Sequence, residues 1–164
     1  MSVDRKELQA YIAKLEKLKK DAPDIMRELI AGEGTYAVKQ ARKICKNEPG
    51  LVNTGAYREN WHTGGLRRNG NSYIIDVYNN LDYAKPLEYG FRGHFVPGHW
   101  EGNTFVYEKY QKPAEGEEGG GGMYVKTHRG HFTLRRAVYH TKQTQQARLT
   151  RKTNKILEER LNGE

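Results

Sequence analysis

Apolar residues recur along this chain in two rhythms, and the rhythm changes from one stretch to the next. From Asp4 to Lys46 the spacing is three and four: Leu8, Tyr11, Ile12, Leu15 and Leu18, then Ile25, Leu29, Tyr36, Val38, Ala41 and Ile44. That period places them on one side of an α-helix. Asp21-Ala22-Pro23 interrupts the pattern. Pro23 either opens a second helical segment capped by Asp21 or kinks a continuous helix. Gly32 and Gly34 each weaken an exposed helix by about 1 kcal/mol relative to alanine, so they mark close packing or a bend. Asn47-Glu48-Pro49-Gly50 stops the helix. A helix this long carries more apolar surface than one small sheet covers. Its first half, Asp4 to Lys20, alternates leucines with Lys14, Lys17, Lys19 and Lys20 in coiled-coil fashion, and is expected to pack on neighbouring copies.

The second rhythm has period two. Ser72-Tyr73-Ile74-Ile75-Asp76-Val77-Tyr78 is rich in β-branched and aromatic residues and predicts a strand. Tyr73, Ile75 and Val77 share one face, and Ile74, Asp76 and Tyr78 the other. Asn69-Gly70 suits a two-residue turn, so His62 to Arg68 is the expected antiparallel partner. Beyond Phe91, Thr104–Tyr110 and Met123–Thr127 read as two further strands. Pro113 to Gly122 joins them as a loop ending in four glycines, which holds no single conformation without a partner. Helical spacing returns from Phe132 to Leu161, with Thr133 as its cap. Leu134, Val138, Thr141 and Gln145 begin a stripe, and Leu149, Ile156, Leu157 and Leu161 resume it. The stretch between, Thr141 to Lys155, is polar and basic, as in a helix that is solvated or lies against other subunits.

These elements predict an α+β chain of one domain. A helical region (1–50) leads into a β core (51–92), an inserted hairpin arm (93–130) and a C-terminal helix (131–164). Among 164 residues, 36% are hydrophobic and 29% charged. That is lean for a compact monomer and points to surface reserved for partners. No apolar run approaches the roughly 20 residues that cross a bilayer, and the first residues carry no signal-peptide core. The protein is therefore expected to be cytosolic where it is made. The lone cysteine, Cys45, reads as a small packing residue. The net charge of +8 is concentrated late: Lys126 to Glu164 holds ten basic and three acidic residues. Arg135, Arg136, Lys142, Arg148, Arg151 and Lys152 are the candidates to face DNA, through charge and without reading sequence.

Four histidines of the arm, His94, His99, His128 and His131, invite a metal-site reading. No cysteine or carboxylate joins them at diagnostic spacing, and no His-Glu-x-x-His is present. There is no nucleophile elbow, and Gly119–Gly122 lack the Lys-Ser/Thr of a nucleotide loop. The sequence thus nominates no catalytic, cofactor or metal residue. A lone basic nucleic-acid-binding protein and a metal-dependent enzyme using the arm histidines are the rival readings.

Two short motifs carry a resemblance. Val52-Asn53-Thr54-Gly55-Ala56-Tyr57-Arg58-Glu59-Asn60, with Trp61 after it, resembles the hydrophobic-x-Thr-Gly-x-Leu-Arg-x-Ser signature of a tail-component family of tailed bacteriophages. The second motif is an Asn (Asn79 or Asn80), then Tyr83-Ala84, then Glu88-Tyr89-Gly90. Tyr57 replaces the more usual leucine and Asn60 the serine, and the segment after Arg92 is longer than in many members. The family is named after the tenth gene product of a lambda-like coliphage. Its members are often called tail-completion or head–tail joining proteins. The resemblance implies a structural neck subunit that resides in the virion and assembles in the host cytoplasm. It implies three partners: copies of itself, the tail terminator and head-side connectors. A six-fold ring is expected from the symmetry of the tail tube. Thr54 is expected to cap the turn at Gly55, Arg58 and Glu88 to pair, and Gly90 to hold a backbone that a side chain would block.

Overall fold

Helix α1 runs unbroken from Arg5 to Asn47. In the computed structural model of the chain, which describes residues 5–48, 51, 55–109 and 121–162, Pro23 lies inside that helix and does not start a second one. The end signal at Pro49-Gly50 lies outside the described residues. Helix α4 covers Thr133–Asn162. The two helices pack in opposite directions, pinned by ion pairs that climb one as they descend the other. Glu48 meets Arg136 (2.8 Å), Glu33 meets Arg148, and Asp21 meets Arg160 (2.5 Å). Lys14 Nζ donates to the Leu161 carbonyl at 2.6 Å, a cation placed on the negative end of α4.

The middle pair is the enclosed one. The Glu33 side chain is 6% exposed and that of Arg148 is 11%. Arg148 Nε donates to Glu33 Oε1 at 3.0 Å and Nη2 to Oε2, a two-pronged contact. Nη2 also donates to the Thr141 carbonyl at 3.0 Å, and the guanidinium carbon stands 3.6 Å from the centre of the Tyr36 ring. The hydrogen bonds to Glu33 hold the Arg148 proton more firmly than usual.

Around this pair the core is built from Leu29, Ala37, Val38, Ala41, Ile44 and Cys45 of α1, with Leu51, Tyr57, Trp61 and Ala137. Cys45 is fully buried, a packing residue. Gly34 serves close approach: a Cβ there would lie 2.6 Å from Ile75 Cδ1. The cap expected at Thr133 is not made. Thr133 is the first residue of α4, wholly buried, and its hydroxyl has no hydrogen-bond partner among the described residues. Phe132, at φ +49, turns the chain into the helix instead.

The β core is shorter and more broken than its sequence suggests. A helical turn, α2 (Ala56–Glu59), precedes β1 (Trp61–Thr63), which pairs with β4 (Val77–Asn79). β2 (Arg67–Asn69) pairs with β3 (Ser72–Ile74). The expected single strand at 72–78 and its partner at 62–68 are therefore two successive ladders. Between them Gly64, Gly65 and Leu66 face only Ile75 and Asp76, a bulge held by Gly64 N–H donating to the Asp76 carbonyl at 2.9 Å. Asn69 pairs with Ser72, so the turn centres on Gly70-Asn71 and not on Asn69-Gly70. Gly70 has φ +57 while Asn71 stays at negative φ, as in a turn with glycine first. The alternation survives the bulge: Tyr73, Ile75 and Val77 are half-buried, and Ile74, Asp76 and Tyr78 are exposed.

α1, the two ladders and α4 belong to one compact unit, and residues 82–132 form a second. The second holds α3 (Ala84–Tyr89), β5 (Gly90–Phe91), β6 (His94–Glu101), β7 (Thr104–Tyr107), β8 (Gly122–Val125) and β9 (His128–Arg129). The two arm strands expected from sequence are β7 and β8, but they do not pair with each other. Both pair with β6: its first half with β8, its second half with β7. β6 escapes a reading by propensity because Pro97-Gly98 sits at its middle. There the partners change over: the Pro97 carbonyl accepts from Glu108 N–H (3.1 Å), and Gly98 N–H donates to Gly121 (3.0 Å). Most of the joining loop, and Tyr110, lie outside the described residues.

β5 and β9 pair beside α3, and His131 and Phe132 N–H groups donate to the Leu87 and Glu88 carbonyls at 2.9 and 3.0 Å. Gly90 makes this possible. Its φ of +77 and ψ of −179 are tolerated only by glycine, and a Cβ would lie 2.4 Å from the His128 carbonyl oxygen.

Two outcomes follow from these contacts. Arg148→Ala strands a buried carboxylate and is expected to cost about 3–5 kcal/mol, read as a lower urea midpoint. The double change Glu33→Leu with Arg148→Leu should recover much of that loss; a double variant as weak as the single one would contradict the pairing. Gly90→Ala is expected to cost at least about 1–3 kcal/mol from backbone strain alone. It should strip hydrogen-exchange protection from the β5–β9 amides, and protection at the wild-type level would show that the glycine is dispensable.

Candidate assembly site

The described part of the first motif, from Gly55 to Trp61, is a helical turn that leads into β1. Val52, Asn53 and Thr54 lie outside the described residues, and so does the proposed Thr54 cap. Gly55 has φ +75 with no side-chain cap, and Glu59 N–H returns to its carbonyl at 3.0 Å. The next residues turn inward. Tyr57 and Trp61 are 2% and 3% exposed, with their rings edge to face at 5.6 Å. Asn60 Nδ2 donates to the Ala56 carbonyl at 2.8 Å, closing the α2 turn. Arg42 of α1 donates to the Glu59 and Trp61 carbonyls, both at 3.1 Å, and so fastens the motif to the long helix. Arg58 Nε is paired with its neighbour Glu59 at 2.8 Å.

Of the two asparagines, Asn79 is the one bonded to the first motif. Asn79 lies opposite Trp61 in the β1–β4 ladder. Its Nδ2 donates to the Tyr57 carbonyl at 2.7 Å, and its Oδ1 accepts from Leu81 N–H at 3.2 Å. One amide thus ties the start of the second motif to the heart of the first. The rest of the second motif lies in the other compact unit. Tyr83 precedes α3 and its carbonyl accepts from Leu87 N–H at 3.2 Å. Ala84 begins that helix, Glu88 is buried within it, and Tyr89 is 64% exposed before Gly90.

The basic candidates on α4 divide. Arg135, Lys142 and Arg151 are exposed. Arg136 is committed to Glu48 and Arg148 to Glu33. Lys152 is exposed overall but its ammonium lies over Gly32 of α1. A second basic surface escaped the sequence reading. Lys39, Lys43 and Lys46 of α1, with Arg58, line an open groove of about 590 Å³ beside Tyr36. Their spacing of four and three was legible, but counting charge by segment drew attention to the C-terminus.

The arm histidines do not converge on one point. His99 bridges strands, its Nε2 at 3.2 Å from Glu101 and its Nδ1 at 2.9 Å from Glu108. The hydrogen bond to Glu101, helped by the nearby charge of Glu108, raises its pKa. This link is complete below the ordinary histidine range and is lost as pH rises through the raised value. His128 stacks on Phe91 at 5.7 Å and meets His131 at 5.2 Å. His94 approaches the edge of Phe91 at 6.3 Å. Among the described residues no three His, Cys, Asp or Glu side chains stand close enough to hold a metal ion. No helix among them is long and apolar enough to cross a membrane.

Comparison with known families adds one match. Neither the curated proteins nor the solved structures contain a chain that matches this one. The family model described as "Bacteriophage HK97-gp10, putative tail-component" matches residues 9–90, from the first half of α1 to the last residue of the second motif. Half of the chain, including both motifs and the Trp61–Asn79 junction between them, lies inside that match. The chain belongs to the HK97-gp10 family of bacteriophage tail components.

Proposed function

We propose that this tail component is a neck subunit that completes the tail end and helps join it to the head. The observation that carries the reading is the family match over residues 9–90, read with the fate of its motifs. Tyr57 and Trp61 bury their rings, Asn79 bonds the Tyr57 carbonyl, and Gly90 lets the backbone approach His128 closely, all of them packing and positioning roles. A part whose distinctive residues are structural acts through its surfaces. The partners in this proposal are copies of the chain in a closed ring, six-fold like the tail tube, with the tail terminator on one side and head connectors on the other. A closed ring repeats one heterologous contact around its axis. Arg135 and Lys142, two turns apart and exposed on the same side of α4, face the lumen in this arrangement and meet passing DNA through its phosphates. The protein resides in the virion and assembles in the host cytoplasm.

Deleting the gene from its phage tests the proposal. Lysates should then hold filled heads and separate tails, seen by electron microscopy, and infectious titre should return when the protein is supplied in trans. Deletion particles with attached, infectious tails would refute it.

A further inference from the structure

The α1–α4 contact ends before α1 does. Arg160 meets Asp21 and Leu161 accepts from Lys14, so α4 stops where α1 still has more than two turns to run. The apolar seam does not stop there. Leu29 is covered, Ile25 and Leu18 are half-covered, and Leu15, Tyr11 and Leu8 follow in the same line at 41%, 52% and 49% exposure. Leu8 and Leu15 are seven residues apart, as are Tyr11, Leu18 and Ile25. That repeat is the signature of a helix built to receive another helix. Ile12, 47% exposed, widens the seam on one side.

The flanking charges argue against a second copy as the occupant. With Leu8, Tyr11, Leu15 and Leu18 as the core positions, the residues beside the seam are Arg5, Glu7, Ile12, Lys14, Lys19 and Asp21. Two such helices laid parallel and in register bring Lys14 against Lys19 of the other copy. Laid antiparallel with Leu8 against Leu18, they bring Lys14 against Lys14, Arg5 against Lys19 and Glu7 against Asp21. Like signs meet in both arrangements, and flanking charges of this kind set the choice of partner. From Arg5 to Lys20 there are six basic residues and two acidic. Lys14 gives one of its three donors to the Leu161 carbonyl, and an occupant with carboxylates opposite Arg5, Lys14 and Lys19 meets the opposite sign.

We infer that the N-terminal turns of α1, from Leu8 to Leu15, are a docking seam for an acidic amphipathic helix of a different chain. That helix lies in line with α4 and extends the seam already formed between α1 and α4. The inference replaces the expectation that this half of α1 packs on its own copies. It names the chemistry of one neighbour in the proposed assembly but does not need that proposal to be true.

The full chain can be tested with synthetic helical peptides of leucine-based heptads, one flanked by glutamates and one by lysines, using calorimetry or fluorescence anisotropy. The glutamate peptide should bind, and the lysine peptide should bind at least about tenfold more weakly. Leu8→Lys with Leu15→Lys should remove binding by at least about tenfold with the far-ultraviolet helical signal unchanged, because both sites are exposed in the lone chain. Four outcomes overturn the inference: equal binding of both peptides, no binding of either, a dimer in light scattering that the double variant abolishes, or capture by phosphatidylglycerol-containing vesicles in preference to the peptide. Phage lacking the gene but carrying joined tails would defeat the neck assignment and leave these binding results untouched.

Discussion

A single guanidinium sets the geometry of the larger unit. Arg148 and Glu33 lie 115 residues apart in sequence and meet in a nearly dry contact between α1 and α4. Burying two charges repays its desolvation only when geometry is good and the remaining hydrogen-bonding capacity is used. Here the carboxylate takes both prongs, the Thr141 carbonyl takes another donor, and the Tyr36 ring covers the face. Such a contact does little to raise stability above that of an apolar pair. It does discriminate among registers: a slip of one turn between the helices leaves both charges buried and unmatched. The exposed pairs Glu48–Arg136 and Asp21–Arg160 agree with that register, but the enclosed pair is the one that a slip would penalise most.

With α1 and α4 held in register, the motif residues act as a clamp at one end of the pair. Arg42 reaches from α1 to two carbonyls of the first motif, and Asn79 reaches from the second motif to a third. Both side chains satisfy backbone groups that no ladder reaches, since β1 and β4 are three residues each. Ladders that short are marginal alone. They persist because Trp61 and Tyr57 bury their rings beneath them and because polar side chains complete the backbone accounting.

Much of this was legible in the sequence. Periodicity placed both long helices to within a residue or two, since a repeat sustained over thirty or more positions averages out local exceptions such as Pro23. The β core was legible as alternation and not as pairing. Tyr73, Ile75 and Val77 do face inward, but the bulge at Gly64-Gly65-Leu66 depends on how two strands meet, which neither strand encodes alone. β6 was missed because Pro97 and Gly98 suggest a break. Their backbone groups instead mark the point where the strand changes partners, which local propensity does not express. The Gly102-Asn103 turn between β6 and β7 was available as a signal, being the same glycine-first pair that closes β2 and β3. Arg148 shows the limit for a candidate site: among basic residues of a polar helix, nothing in sequence singles out the one whose charge is used internally.

Where the chain keeps its apolar surface also bears on how it works. A folded monomer seldom leaves a row of leucines and a tyrosine along a helix unless something else covers it. In this chain the uncovered row continues a covered one, on the same helix and in the same line, and differs only in that α4 has ended. The arm leaves a second set outside, with Trp100, Tyr107 and Tyr124 each more than half exposed on a thin sheet. Uncovered apolar rows of this kind suit a tail component, whose family meets other virion proteins.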